Sequence, residues 1–161
     1  MARGYVFEIA KNADDLFNLD QWTINEDASA YGVDYASEIY TAAERRMEFA
    51  DRFSGSHVEN VCVDGETIPI IKLTNEIKEK FFHSRFERFK EATANMTLEQ
   101  FSTDYQAHAD DDPDVLDLRL LIRNTCGDMV YFDGLVKPLD DFIREADPDT
   151  KYYVGNVVLI H

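Results

Sequence analysis

The 161 residues contain only two cysteines, four prolines, seven glycines and one tryptophan. Each scarcity excludes something. Cys62 and Cys126 stand far apart and outside any paired motif, so no disulfide-dense framework and no C-x-x-C site can be drawn. Reduced thiols in a cytoplasmic protein are the expectation. The glycines form neither G-x-G-x-x-G nor G-x-x-x-x-G-K, the backbone cradles that hold phosphates. No window approaches the ~18 apolar residues of a membrane span. The start, MARGYVFEIAKN, has too short an apolar stretch for a signal peptide and no cleavage pattern. Bases are scarce as well: 16 Lys and Arg face 32 Asp and Glu, for a net charge of −16. A chain so negative is ill suited to bind a phosphate backbone directly unless its bases gather locally.

What is present is core material. Hydrophobic residues make up 45% of the chain, with eleven Phe and eight Tyr, and a chain of this length buries roughly 70% of its extended surface without needing a metal. No repeat, low-complexity tract or Pro/Gly/Ser linker divides it, so residues 1–161 are expected to form one domain.

Periodicity and turn chemistry give the elements. Tyr5–Ala10 alternates Tyr5, Phe7 and Ile9 on one face, as a strand does. Leu16, Phe17, Leu19 and Trp22 are expected to cover a core edge. Asp34 can cap a helix carrying Ala36, Ile39, Tyr40, Ala43, Met47 and Ala50 to about Phe53, where Gly55 stops it. VENVCV and ETIPIIKL flank Asp64-Gly65, the dipeptide of a tight type I′ hairpin. Pro69 lacks an N–H for the ladder and places the second strand at a sheet edge or a bulge. Thr74 opens a helix to about Ala92, with Ile77, Phe81, Phe82, Phe86 and Phe89 on its buried stripe. TLEQ, from Thr97, is a capping box for a helix through Tyr105, and another helix is predicted from Pro113 to about Thr125. Met129–Phe132 reads as a strand turned by Asp133-Gly134, Pro138–Ala146 as a short helix, and the apolar KYYVGNVVLI as a strand buried on both faces. Strands and helices do not alternate regularly, so the fold class is α+β: a four- or five-stranded mixed sheet, an Asp-Gly hairpin, and about five helices packed mainly on one side.

Charge is segregated along the chain. Residues 72–92 hold six bases against four acids, whereas residues 93–117 hold seven acids and no base. Within the acid run, Asp110, Asp111, Asp112, Asp114 and Asp117 invite a calcium loop, but an EF-hand starting at Asp110 needs Gly and Glu where Val115 and Leu121 stand. Helix capping explains part of the run: Asp112 suits the N-cap, Pro113 the first turn, and Asp114 and Asp117 the positive end of the dipole. Asp110 and Asp111 are left over.

The basic run, KEKFFHSRFERFK, interleaves Lys78, Lys80, Arg85, Arg88 and Lys90 with aromatics, the composition of a nucleic-acid-binding surface. Its phenylalanines belong on one buried stripe, which leaves those bases without stacking partners. Glu79, Glu87 and Glu91 pair with them at helical spacing. Glu79, His83 and Glu87 line up four apart, yet no further ligand motif completes a metal site. Cys62, inside a strand, reads as a small core residue, and Cys126 faces the negative end of a helix. No catalytic residues, metal or cofactor are assigned.

These features point to an acidic, non-catalytic interaction or inhibitor protein. Its partner would be basic, such as a nucleic-acid-binding protein or nuclease whose cleft it occupies, as a phage anti-defence protein of the anti-CRISPR kind would. The expected contact groups are Asp110, Asp111, Asp112, Asp114, Asp117, Glu26, Asp27, Asp34 and Glu38. A globule of this length is about 40 Å across, and that length of duplex carries about 23 phosphates, half of them on one side. The net charge matches this only if about three quarters of it lies on one face. Two alternatives stand beside this expectation: a small cytosolic enzyme using carboxylates and a histidine, and a nucleic-acid-binding module built on residues 74–92.

Overall fold

The computed structural model describes residues 4–20, 23–24, 36–38, 42–54, 58–94, 96–99 and 127–161. It is α+β. The strands are β1 (Gly4–Ala10), β2 (Ala36–Glu38), β3 (Glu59–Val63), β4 (Glu66–Lys72), β5 (Met129–Phe132), β6 (Leu135–Pro138) and β7 (Lys151–Ile160). The helices are α1 (Ala42–Ser54), α2 (Asn75–Ala94) and α3 (Leu139–Glu145), and a 3-10 turn spans Ala13–Asp15. One mixed sheet runs in the order β3-β4-β7-β1-β5-β6. Only β1 and β5 are parallel, with Val6 opposite Met129; the other neighbours are antiparallel.

β7 organises the sheet. One of its sides is paired with β1 along most of its length. The other side is shared: β4 takes Lys151–Tyr153 and β2 takes Val158–Ile160. The expectation of a strand buried on both faces holds, since Tyr152, Val154 and Val157 face the helices while Val158 and Ile160 join the opposite cluster.

Two hairpins follow their dipeptides. Asp64 and Gly65 have φ of 50° and 84°, and Asp133 and Gly134 have 53° and 78°, the paired positive φ that a type I′ turn demands. Thr74 caps α2, its Oγ1 accepting the Ile77 N–H at 3.3 Å.

The larger core lies between the sheet and the helices. Phe49, Ala50 and Phe53 of α1 and Leu139, Phe142 and Ile143 of α3 pack there on Phe7, Ile9, Ile71, Val130 and Tyr152. Phe7 stacks on Phe49 with ring centroids 4.1 Å apart. Each such side chain, fully buried, contributes about 1.5–3 kcal/mol. Ile77, Phe81 and Phe82 attach α2 to the same core. All three helices thus take one face.

The other face is covered by the segment after β1. Leu19 and Ile24 close over Val6, Met129 and Val158, and Leu16 closes over Ala10 and Ile68. A buried acid fixes that cover. Glu8, 2% exposed, receives the backbone N–H groups of Phe17 at 2.9 Å, Asn18 at 2.7 Å, Leu19 at 3.1 Å and Asn156 at 2.9 Å. A carboxylate has about four lone-pair sites, so its capacity is filled. Opposite Glu8, β7 carries an irregularity: the pairing steps from Phe7↔Val157 to Ile9↔Val154. Gly155 sits in that step because a Cβ there would lie 2.5 Å from Glu8 Oε2 and 2.9 Å from Leu16 Cδ2.

Several expectations are corrected. Among the described residues the sheet has seven strands rather than four or five. Ala36–Glu38 is strand rather than helix, because the C-terminal half of β7 offers it a ladder. Leu135–Pro138 returns as a strand after its turn, pairing Tyr131 with Val136. β4 is interior, not an edge, and Pro69 is tolerated for a geometric reason. It stands opposite Asn60, one residue before the β7 ladder begins at Ile70. Alternation from the hairpin makes that pair non-hydrogen-bonded, so the missing N–H faces away from β3. The helices expected over 97–105 and 113–125 lie outside the described residues, apart from a helical Leu98–Glu99. Trp22 lies outside them too.

Two substitutions test the Glu8 clamp by urea denaturation. Glu8→Gln replaces an acceptor with a donor and strands two buried N–H groups, so it is expected to cost about 2–5 kcal/mol. Gly155→Ala forces the carboxylate aside and is expected to cost about 1–3 kcal/mol. Neutral effects would contradict the clamp.

Candidate functional site

Eight of the nine acids expected to contact a partner, namely Glu26, Asp27, Asp34, Asp110, Asp111, Asp112, Asp114 and Asp117, lie outside the described residues. For Glu38 the backbone alone is described, in β2 opposite Val158. His57, His108 and Cys126 are outside as well.

The basic run is described in full, and the fold uses much of it. Lys78 Nζ donates to the Ala146 carbonyl, and to that of Arg144 at 3.4 Å, so it caps the negative end of α3. Arg85 pairs with Asp140 at 2.7 Å and lies 4.8 Å from the Phe81 ring centre. Lys90 pairs with Glu87 at 3.0 Å. Lys80 and Arg88 are exposed and belong to no ion pair among the described residues. The buried stripe is shorter than expected. Phe86 is 57% exposed, with Lys90 over its ring at 5.3 Å, and Phe89 is half-buried. The cause is length: a 20-residue helix extends about 30 Å, and its packing on Phe53 of α1 and on the α3 end is made by its first half, through Lys78, Phe81, Phe82 and Arg85.

Glu79 and His83 are exposed on α2. Among the described residues no three His, Cys, Asp or Glu converge as metal ligands would, and no helix is long and apolar enough to cross a membrane. Cys62 is exposed rather than core. It sits on β3, the outermost strand, between Val61 and Val63, whose side chains take the packed face.

Neither a protein family, nor a curated protein, nor a solved structure matches this chain.

Three cavities lined by described residues are open to solvent. One, about 530 Å³, lies between α1 and α2 over Phe53, Ile77, Phe81 and Leu139. A second, about 340 Å³, lies beyond the ends of β1 and β5 and is lined by Glu8, Lys11, Asn12, Asp15, Asn18, Tyr131 and Asp133. A third, about 120 Å³, is bounded by Lys11, Phe132, Lys137, Phe142, Glu145, Asp147 and Tyr152. His83 lines none of them.

The buried charges are paired, although Arg46 Nη1 has no hydrogen-bond partner among the described residues. Arg46, 4% exposed, binds Glu66 at 2.9 Å and approaches the Phe17 ring at 6.0 Å, linking α1, β4 and the cover segment. Burial raises the Asp140 pKa, with Arg85 partly opposing it, and burial likewise lowers that of Arg85. Desolvation thus outweighs attraction on both partners. Because the folded-state value of Asp140 lies above the unfolded one, its contribution to stability falls as pH rises from the unfolded value through the folded value. Glu59 and Glu145, lowered chiefly by hydrogen bonds from Lys151 and Lys137, act in the opposite sense. Their contribution is present above the unfolded value and is lost as pH falls through the folded one.

Carboxyl NMR titration checks this balance. Asp140 is expected to titrate above the ordinary aspartate value, and Arg85→Met is expected to raise it further. A downward shift in the variant would contradict the assigned causes.

Proposed function

We propose that this chain acts as an acidic, non-catalytic interaction protein that occupies the cationic, nucleic-acid-binding cleft of a basic partner, as a phage anti-defence protein would. One observation carries this reading: among the described residues most of the bases are paired with carboxylates of the protein itself, and Lys11, Lys72, Lys80 and Arg88 are the exposed ones outside any ion pair. Eight ion pairs among the described residues each tie a Lys or Arg to a carboxylate, and Lys78 is spent on the end of α3. Meanwhile Glu44 and Asp51 on α1 and Glu76, Glu79 and Glu91 on α2 are exposed and outside any ion pair among the described residues. The surplus that a partner meets is therefore negative. The acid-rich stretch at Asp110, Asp111, Asp112, Asp114 and Asp117, with Glu26, Asp27, Asp34 and Glu38, supplies the proposed contacts. Such a surface steers encounter and selects a cationic cleft.

A second reading rests on Phe86, whose exposed ring lies beneath Lys90 on a helix that also exposes Lys80 and Arg88, a small stacking platform of the kind single strands use. It is the weaker one, because Lys78, Arg85 and Lys90 are engaged within the protein.

The experiment is a competition against duplex DNA on a panel of nucleic-acid-binding nucleases, read as displacement of DNA and loss of cleavage. Binding is expected to weaken about tenfold or more between ~50 and ~300 mM salt. The double variant Asp110→Lys, Asp111→Lys is expected to weaken it at unchanged melting temperature. Salt-insensitive binding, or no displacement from any nuclease, would overturn the proposal. A low-salt gel shift with single-stranded nucleic acid that is lost on Phe86→Ala would favour the second reading.

A further inference from the structure

Lys11 lines two cavities at once, on opposite faces of the sheet. The topology puts it there. β1 and β5 are adjacent and parallel, so their carboxyl ends open at the same edge, Lys11 directly after one and Asp133-Gly134 directly after the other. Crevices beyond the carboxyl ends of parallel strands are where small ligands settle in open sheets, because the following loops diverge there.

The two cavities differ in chemistry. The one on the helix face, about 120 Å³, has aromatic walls: Phe132, Phe142 and Tyr152 meet with centroids 5.2–5.9 Å apart. Its rim is cationic, with the ammonium groups of Lys11 and Lys137 each 5.7 Å from the Phe132 centroid. Glu145 serves Lys137 at 2.8 Å, whereas Lys11 has no carboxylate at ion-pair distance among the described residues. The Tyr152 hydroxyl, buried, accepts the Asp147 N–H at 2.8 Å and keeps its own proton to donate. Asp147 does not close the site: its Oδ1 accepts the Asp149 N–H at 2.9 Å within its own turn. That bond chiefly lowers its pKa, with Lys11 and Lys78 adding to the effect.

The cleft on the other face, about 340 Å³, presents the groups that bind hydroxyls: the Asp15 and Asp133 carboxylates, the Asn12 and Asn18 amides and the Tyr131 phenol. Its wall is set in advance. Asn12 Nδ2 donates to Asp15 Oδ2 at 3.0 Å, and Asn18 Nδ2 donates to the Asp15 carbonyl at 2.8 Å.

We propose that the two cavities are halves of one small-molecule site joined at Lys11, and that its ligand is a phosphorylated sugar. The phosphate sits between Lys11 and Lys137 within reach of the Tyr152 hydroxyl, and the sugar hydroxyls meet Asp133, Asp15 and Asn12. The site is independent of the acidic contact with a protein partner. Together the halves reach the few hundred Å³ usual for small-ligand pockets.

Calorimetric titration of the full chain with ribose 5-phosphate, ribose and inorganic phosphate tests it. Ribose 5-phosphate is expected to bind at least tenfold more tightly than either fragment. Lys11→Ala is expected to weaken ribose 5-phosphate and phosphate alike. Asp133→Asn, which keeps a residue tolerant of positive φ, is expected to weaken ribose 5-phosphate alone. Both side chains are exposed, so the variants are expected to melt as the parent does. No binding of any probe at millimolar concentration, phosphate binding that survives Lys11→Ala, or ribose 5-phosphate binding no tighter than phosphate would each overturn the proposal.

Discussion

The Glu8 carboxylate holds four backbone N–H groups from two distant parts of the chain, three from residues 17–19 and one from Asn156. Burying an ionised carboxylate alone would be prohibitive. Here every lone pair has a donor, and each charge-assisted bond contributes about 1.5–3 kcal/mol. That is enough to hold Phe17 at φ 67°, a conformation that costs a bulky residue about 1–3 kcal/mol. Three successive N–H groups turned onto one anion form a nest, and the anion is supplied by the protein's own sheet. What depends on it is the whole non-helical face. Leu16, just before the nest, and Leu19, its last member, are laid onto the sheet by the same bonds.

A second pattern runs through the charges. This chain has few bases, and the fold places many of them where they stabilise a particular join. Arg46 ties α1 to β4, Arg52 ties α1 to Asp128 before β5, Lys78 closes α3, and Lys151 ties β7 to Glu59 of the edge strand. The exposed pairs among these contribute little each. Their consequence is distributional: positive charge is drawn inward or neutralised in place, while unpaired carboxylates remain on α1 and α2. An acidic exterior follows from how the bases are used as much as from how many acids there are.

Much of the fold was legible in local chemistry. Asp64-Gly65 and Asp133-Gly134 turn where their φ preferences require, Thr74 caps the helix it precedes, and the apolar run after Thr150 is the central strand. What escaped depended on partners far away in sequence. Ala36–Glu38 has helical spacing and becomes strand only because β7 offers a free edge. Pro69 and Cys62 were placed by rules that assume the strand order, and the order reversed them: the strand with the proline is inside and the one with the cysteine is outside. Phe86 fits the apolar stripe of its helix, but periodicity does not say where the neighbouring helices stop. Glu8 left a trace, an acid between Val6 and Ala10 on a strand face that is otherwise apolar, and such an acid needs internal donors. Nothing local reveals that they are backbone groups. Of the candidate sites, the basic run was found and its dispersal among structural duties was not. The cavities at Lys11 gave no sequence signal, being made by the ends of strands that are more than a hundred residues apart.

Amide hydrogen exchange followed by NMR tests the central claim, that one buried carboxylate anchors the non-helical cover, without altering a residue. The account requires the N–H groups of Phe17, Asn18, Leu19 and Asn156 to exchange as slowly as those of β1 and β7, and to open together, since they share one acceptor. Exchange of residues 17–19 at the rate of an exposed loop, with Asn156 still protected, would contradict it.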